Sequence, residues 1–506
     1  MQTRLKKIVI AGGGSAGWMT AAALSSLLDP KDVSITLVES DEIGTIGVGE
    51  ATIPDIINFN RMLGLDEAEF MKATNATFKL GIEFVDWGRK GDTYIHPFGF
   101  HGVDMKGIDF HNYWLHDRAA GNPHPIEQYS LSAVAAKHGK FTLPDPTPNP
   151  RSLLTYIRYA YHFDATLYAR YLRSYAQARG VQRVEGKIQK VSQAPESGHI
   201  AALALDGERV IEGDFFFDCT GFRSLILGSV LGVSFVDWSR WLPCNSALAV
   251  PCRHAGPLLP YTRATARTAG WQWRIPTQRR TGNGHIYCRE FMGDDEATAM
   301  LLANLDGEAL AEPRQIRFTA GHRQVFWEKN CIAIGLSAGF LEPLESTSIY
   351  LIQEGVSRFI SLFPDATLPG VVRDEYNRHM RTEFEQVRDF IILHFSATAR
   401  DDTPFWNYCR NMSIPDTLRH KIELFRTAAR VFRYEEELFS KPSWIAVMLG
   451  QNIVPERCDP IVASLPHPLV HESLESMRIA MIDAARALPT HEEFIRRYCA
   501  SGAAAP

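Results

Sequence analysis

The 506-residue chain is predicted to adopt an α/β fold, with a doubly wound parallel sheet, a second sheet and a C-terminal helical cap. Three observations carry this. A β-branched run from Lys7 to Ala11 stops at glycines and passes into an Ala/Leu-rich stretch, which reads as strand, turn and helix. The interval 236–319 is rich in strand-forming sequence. Beyond Ser357, apolar residues recur at spacings of three and four.

In chain order, Ser15 to Leu28 forms the first helix and Ser34 to Val38 the second strand, closed by Glu39. This is the front half of a doubly wound nucleotide-binding unit. A proline-punctuated connector, LPDPTPNPRS from Leu143 to Ser152, leads into a helical stretch from Leu154 to Arg179. Phe215 to Phe217 and Ile332 to Ile334 are short buried strands followed by small residues, and they rejoin the first sheet. The nucleotide-binding domain is therefore expected to be discontinuous, over 1–235 and 320–365, with the second sheet at 236–319 and the cap at 366–506. In the cap, Tyr376, Met380, Phe384, Val387 and Ile391 share one helix face, as do Leu418, Ile422, Phe425, Ala429 and Phe432. No internal repeat is present.

Basic and acidic counts of 53 and 58 give a net charge of −5, so no positive field gathers nucleic acid or anionic lipid. Small molecules and proteins are the expected partners, with homodimer formation left open. Eight cysteines are spread without a CxxC pair, and no histidine cluster stands at metal-ligand spacing, so reduced thiols, a cytoplasmic location and no metal are expected. Gly12 to Gly14 cut the N-terminal apolar run short of a signal sequence, and no later run reaches membrane-spanning length.

The loop GGGSAG places Gly12, Gly14 and Gly17 at GxGxxG spacing, with Ser15 and Ala16 inside it and Glu39 about twenty residues beyond. Bare glycines admit a pyrophosphate to the helix N-terminus, and Glu39 can accept from ribose hydroxyls. The competing reading is a tight packing turn. IGVGEATIP, Ile46 to Pro54, supplies Val48, Gly49 and Ala51 around Glu50 in a glycine-bearing loop suited to opening and closing, or to an ordinary surface turn. In GLSAGFLEPLESTSIYLIQEG, Glu345, Ser346, Thr347 and Ser348 precede an apolar helix whose start offers free N–H groups to an anion. Sequence alone equally allows a plain N-cap there. Lys79 sits between Phe78 and Leu80, with Phe84 and Trp87 following; desolvation eases its deprotonation, although most such lysines only lay their stems along a surface. Trp271 and Trp273 share one face of the extended segment GWQWRIP, a pattern also found in sheet cores.

Taken together, GWQWRIP, GGGSAG and the KxGxxFxxW order of Lys79, Gly81, Phe84 and Trp87 resemble the flavin-dependent halogenases, whose tryptophan halogenases are the best-known members. DFFFDCTG, Asp214 to Gly221, and Gly335 to Pro343 resemble the second and third flavin-contact segments of FAD-dependent monooxygenases, with Leu336 standing where an acid is usual. The resemblance implies a Rossmann-type, monooxygenase-like FAD-binding domain. Gly12, Gly14, Ser15, Ala16, Gly17, Glu39, Val48, Gly49, Ala51, Asp218, Gly335 and Leu336 are its expected cofactor-binding residues. No second GxGxxG follows a strand, so FADH2 is expected from a separate NAD(P)H-dependent flavin reductase.

By the same resemblance, Thr347 and Ser348 hold chloride or bromide through the backbone, and Glu345 is a catalytic carboxylate. Ser348 departs from the usual Gly, and its Cβ restricts the backbone there. Hypohalous acid made at the flavin passes Trp271 and Trp273 to Lys79, which carries halogen as a haloamine or hydrogen-bonds the acid. Ile275, Pro276, Ser346 and Phe439 complete the expected passage and substrate site. In the cap, Leu438, Phe439 and Ser443 replace the residues that clamp an amino acid, and Glu435, Glu436 and Glu437 read as a solvated helix face. The expected substrate is an indole-like or phenolic arene, with free tryptophan disfavoured. A flavin-dependent aromatic hydroxylase and a non-catalytic flavin-binding protein are the rival readings.

Overall fold

The computed structural model describes residues 4–42, 49–147, 149 and 152–502. Contacts divide the chain into two compact units, one of 1–76, 163–243 and 318–385, the other of 77–162, 244–317 and 386–506. The segment 77–162, grouped by sequence with the nucleotide-binding domain, therefore clusters with the second sheet. Pairing explains this: Gly81–Val85 lies parallel to Thr262–Arg267 and extends that sheet.

The first unit is built on a six-stranded sheet. Lys7–Ala11 is central, flanked in parallel by Ser34–Glu39 and Phe215–Asp218, with Cys331–Ala333 beyond the latter. Both strands expected to rejoin the sheet do so. Phe215, Phe216 and Phe217 are all fully buried, as expected for a parallel strand covered on both faces. The first helix spans Ser15–Leu27. The predicted helical stretch from Leu154 to Arg179 is interrupted: Ala160–Asp164 is a strand, and the helix begins only at Ala165. Asp164 starts it by accepting from the N–H groups of Thr166 and Leu167, a cap that the helical periodicity overran.

The second unit carries a seven-stranded sheet in which Gly270–Pro276 pairs antiparallel with Thr262–Arg267 on one side and Thr281–Tyr287 on the other. Helices supply most of the chain beyond residue 386. Tyr376, Met380, Phe384, Val387 and Ile391 are all buried along Gly370–Ser396. The second predicted face holds through Phe425. Ala429 then turns left-handed, with φ 52°, and ends the helix Asp416–Ala428, so Phe432 is exposed and not part of that face. Among the described residues, no helix is long and apolar enough to cross a membrane. All eight cysteines are free thiols.

Candidate functional site

The glycine loop has the geometry that a dinucleotide needs. Gly12 adopts φ +110°, and a Cβ there would stand 2.2 Å from the carbonyl oxygen of Cys219. A Cβ on Gly17 would lie 1.9 Å from the Gly12 carbonyl, so strand, loop and helix approach closely only because both are glycine. Gly14 differs. Its Cβ would meet no atom within 4 Å, which leaves open space at the start of the helix Ser15–Leu27. Gly12 to Ala16 are only half-buried, whereas Gly17 and the next turns are buried. A pyrophosphate fits that space, facing the helix start and the backbone of Ser15 and Ala16.

Two of the other expected cofactor residues, Glu39 and Gly335, pack against the loop or the first helix. Glu39 accepts from Trp18 Nε1 at 3.2 Å and Arg183 Nε at 2.5 Å, which fixes its carboxylate at the strand end. Gly335 adopts φ +69°, and a Cβ there would be 2.9 Å from that of Ala16, so the Gly335–Ser337 turn, with Leu336, packs against the first helix. Asp218 behaves differently from a free ligand. It accepts from Thr220 N and Oγ1 and from the N–H groups of Ile226 and Leu227, so it shapes the turn after its strand. Gly49 and Ala51 belong to the short strand Gly49–Ala51, and desolvation pushes the intervening Glu50 carboxyl up to about 7. Val48 lies outside the described residues.

Glu345, Ser346, Thr347 and Ser348 bring a buried carboxylate to a helix start. The turn Pro343–Glu345 ends at Ser346, left-handed with φ 61°, and the helix Ser348–Ser361 follows with Thr347 as its N-cap. Thr347 does not cap through its side chain, and the first turn holds no acid. The intrahelical ladder opens with Leu351 N–H donating to Thr347 O at 2.9 Å, so Ser348, Ile349 and Tyr350 have no intrahelical acceptor. The Thr347 hydroxyl is buried without a hydrogen-bond partner. Buried hydroxyls are normally satisfied, and a hydroxyl at a helix start can donate to an anion.

In the second unit, Lys79 ends the strand Thr77–Lys79 and is fully buried, its Nζ 5.1 Å from the Phe98 ring centroid. A buried polar relay ties this strand to GWQWRIP. Thr77 Oγ1 donates to Pro276 O at 2.6 Å, which leaves it to accept from His162 Nδ1 at 3.2 Å. His162 Nε2 then accepts from Thr262 Oγ1 at 2.9 Å. The imidazole is thus the neutral Nδ1–H tautomer, and burial followed by the positive charge of Lys79 holds its pKa well below the usual histidine range. On the other side of the strand, Phe78 N–H donates to His491 Nε2 at 3.1 Å, and burial lowers His491 to about 4.

The remaining members of KxGxxFxxW have packing roles. A Cβ on Gly81 would be 2.5 Å from His96 O; Phe84 stacks on Tyr94 at 4.9 Å; Trp87 Nε1 donates to Ala264 O at 3.0 Å. Lys79 is the one charged member, fully buried with its Nζ over the Phe98 ring. Trp271 and Trp273 lie on one face, ring centroids 6.0 Å apart, and both are buried with Ile275 and Pro276. Gly284, opposite Trp273 on the neighbouring strand, makes room for the indole: its Cβ would fall 2.0 Å from the ring.

The cap holds one correction. Residues 434–440 are not helical; Tyr434, Glu435 and Glu436 are exposed, whereas Glu437 is buried. It receives Lys421 Nζ at 2.7 and 2.8 Å and Trp444 Nε1 at 2.9 Å, while the ammonium sits 4.1 Å from the Trp444 ring. A partner 16 residues away in another element hides a buried ion pair from a charge-pattern reading. Phe439 is buried and stacked on Phe390 at 3.7 Å. His162, His491, Phe98 and Lys421 were not identified from sequence. Each is brought in by strand pairing or helix docking, for which single histidines and lysines carry no local signal.

The sequence pattern of the tryptophan halogenases matches residues 7–467. The chain is 35% identical to tryptophan 6-halogenase SttH of Streptomyces toxytricini, over 96% of this chain and 97% of that one. It is 33% identical to tryptophan 7-halogenase RebH of Lentzea aerocolonigenes, over 98% and 99%. Among solved structures, a flavin-dependent halogenase from Xanthomonas campestris superposes with a TM-score of 0.95 at 49% identity, covering 99% of this chain and 100% of that one. BrvH, a flavin-dependent halogenase from Brevundimonas sp. BAL3, gives 0.94 at 47%, covering 98% and 99%.

Proposed function

Because this chain belongs to the tryptophan halogenase family of flavin-dependent enzymes, we propose that it halogenates an indole-like arene, with Lys79 and Glu345 as its catalytic residues. Reduced FAD, delivered by a separate flavin reductase, supplies with O2 the oxidising equivalents that convert chloride or bromide to hypohalous acid. The Ser15 helix start and the space outside Gly14 hold the pyrophosphate, with Glu39 set for the ribose.

Thr347 and Ser348 hold the halide at the start of their helix, through backbone N–H groups and the Thr347 hydroxyl. Trp271 and Trp273, in the same unit as Lys79, wall its substrate site with rigid indoles. In its apolar surroundings Lys79 orients hypohalous acid by hydrogen bonding or carries halogen on Nζ. The arene carbon attacks that halogen, and Glu345 stabilises the cationic ring or takes its proton.

The observation that carries the reading is the full burial of Lys79 in the unit that also carries Trp271 and Trp273. Glu437 supports an arene without an amino-acid head group. Lys421 already neutralises that carboxylate, so it offers no unpaired charge to a substrate ammonium. The test supplies protein, FAD, flavin reductase, NADH, bromide and either indole or tryptophan, with mass spectrometry of the products. Bromoindole, seen as a bromine isotope doublet, with higher kcat/KM than for tryptophan, is the expected result. A single added oxygen identifies a hydroxylase and overturns the proposal, as does tryptophan turned over faster than indole.

A further inference from the structure

The second unit gathers a buried carboxylate and two imidazoles at one point. The helix Phe110–Ala119 carries Asp117, and the helix His467–Ala487 carries His467 and His471, one turn apart and so on one face. His467 Nε2 lies 2.7 Å from Asp117 Oδ1, and His471 Nδ1 lies 3.0 Å from the same oxygen. One donor atom from each residue falls within 4.8 Å of the other two. We propose that Asp117, His467 and His471 form a first-row divalent-metal site of zinc type, which clamps these two helices together.

Several features suit an ion better than a plain hydrogen-bonded cluster. Zinc bonds to nitrogen and oxygen of about 2.0–2.1 Å set neighbouring ligand atoms about 3.3 Å apart in a tetrahedron. The observed nitrogen-to-oxygen separations of 2.7 and 3.0 Å are shorter and the two imidazole nitrogens lie within 4.8 Å of each other, so rotation of the two surface rings has to bring the three ligand atoms to that spacing. The Asp117 side chain is only 1% exposed, while those of His467 and His471 are 39% and 48% exposed, so the carboxylate is fixed and solvent-borne ions have access.

The other carboxylate oxygen is already oriented. Asn122 Nδ2 donates to Asp117 Oδ2 at 2.5 Å and to Tyr129 OH at 3.1 Å, and Asn122 Oδ1 accepts from His124 N–H at 2.9 Å. This is the outer support that ligating carboxylates require. His116 adds a further ring, its centroid 5.9 Å from that of His467 and its Nε2 buried without a hydrogen-bond partner. Two imidazoles with one carboxylate favour zinc and its transition-metal neighbours over magnesium or calcium, which prefer all-oxygen shells. Water takes the fourth position. The sequence reading passed over His467 and His471, which stand four residues apart at a ligand spacing, and their carboxylate partner Asp117 lies 350 residues before His467.

The test uses the full chain without a histidine tag, stripped by chelator and titrated with Zn2+ by calorimetry and with Co2+ by visible absorption. One ion per chain is expected, with d–d bands of low-coordinate Co2+ and a Tm raised by several degrees. His471→Ala, whose ring is half exposed, should keep its fold and FAD binding yet lose zinc affinity by more than about 100-fold. Asn122→Ala should weaken binding by about 10–100-fold. Absence of saturable Zn2+ binding to the wild type, or binding unchanged in both His467→Ala and His471→Ala, overturns the proposal.

Discussion

Thr347 bears a buried hydroxyl that the protein leaves without a partner, and that defines a test at a single atom. Thr347→Val keeps the shape and removes the donor. If the hydroxyl contacts the halide, the apparent KM for bromide rises about tenfold or more, the usual range for a hydrogen bond to a charged group. Unchanged halide KM places the anion on backbone groups alone. His491 gives a pH test. Its folded pKa of about 4 lies below the ordinary histidine value of about 6.5, so between these values the unfolded chain takes up a proton that the folded chain does not. Its contribution is complete above about pH 6.5 and is lost toward pH 4, at up to about 1.4 kcal/mol per unit. His491→Gln, whose amide oxygen can accept from Phe78 N–H, should make the fall in urea midpoint from pH 7.5 to 5 shallower. At this scale the residues set in contiguous motifs, such as Lys79 and Trp273, were legible in sequence. His162 and His491 were not, because their partners Thr262 and Leu258 are supplied by distant strands and loops.

Elements test the close approaches that their glycines permit. Gly284→Ala puts a methyl group 2.0 Å from the Trp273 ring, so the indole must leave its place on the strand. The expected outcome is a loss of about 1–3 kcal/mol in denaturant stability with a shift in tryptophan fluorescence. Native fluorescence and stability would show that Trp273 does not rest on that strand. Strand, loop and first helix were readable because glycine punctuation and β-branched runs act over a few residues. Periodicity failed where a local cap overrode it, at Asp164 before the helix Ala165–Gln177 and at left-handed Ala429 after Asp416–Ala428.

For the whole molecule, sequence anticipated that Phe215–Asp218 and Cys331–Ala333 return to the first sheet, since each is a short buried run followed by small residues. It did not anticipate that Gly81–Val85 and Thr93–Pro97 complete the second sheet, because strand pairing over some 180 residues leaves no mark in either segment. That pairing makes Lys79 part of the unit that carries Trp271 and Trp273, while the residues proposed to hold FAD and halide belong to the other. The most direct measurement is Lys79→Ala assayed with FAD, flavin reductase, NADH, bromide and indole, following bromoindole by mass spectrometry and hydrogen peroxide in the same reaction. The account predicts that bromoindole disappears while FAD binding and peroxide release continue. Bromoindole formed at the wild-type rate would contradict it.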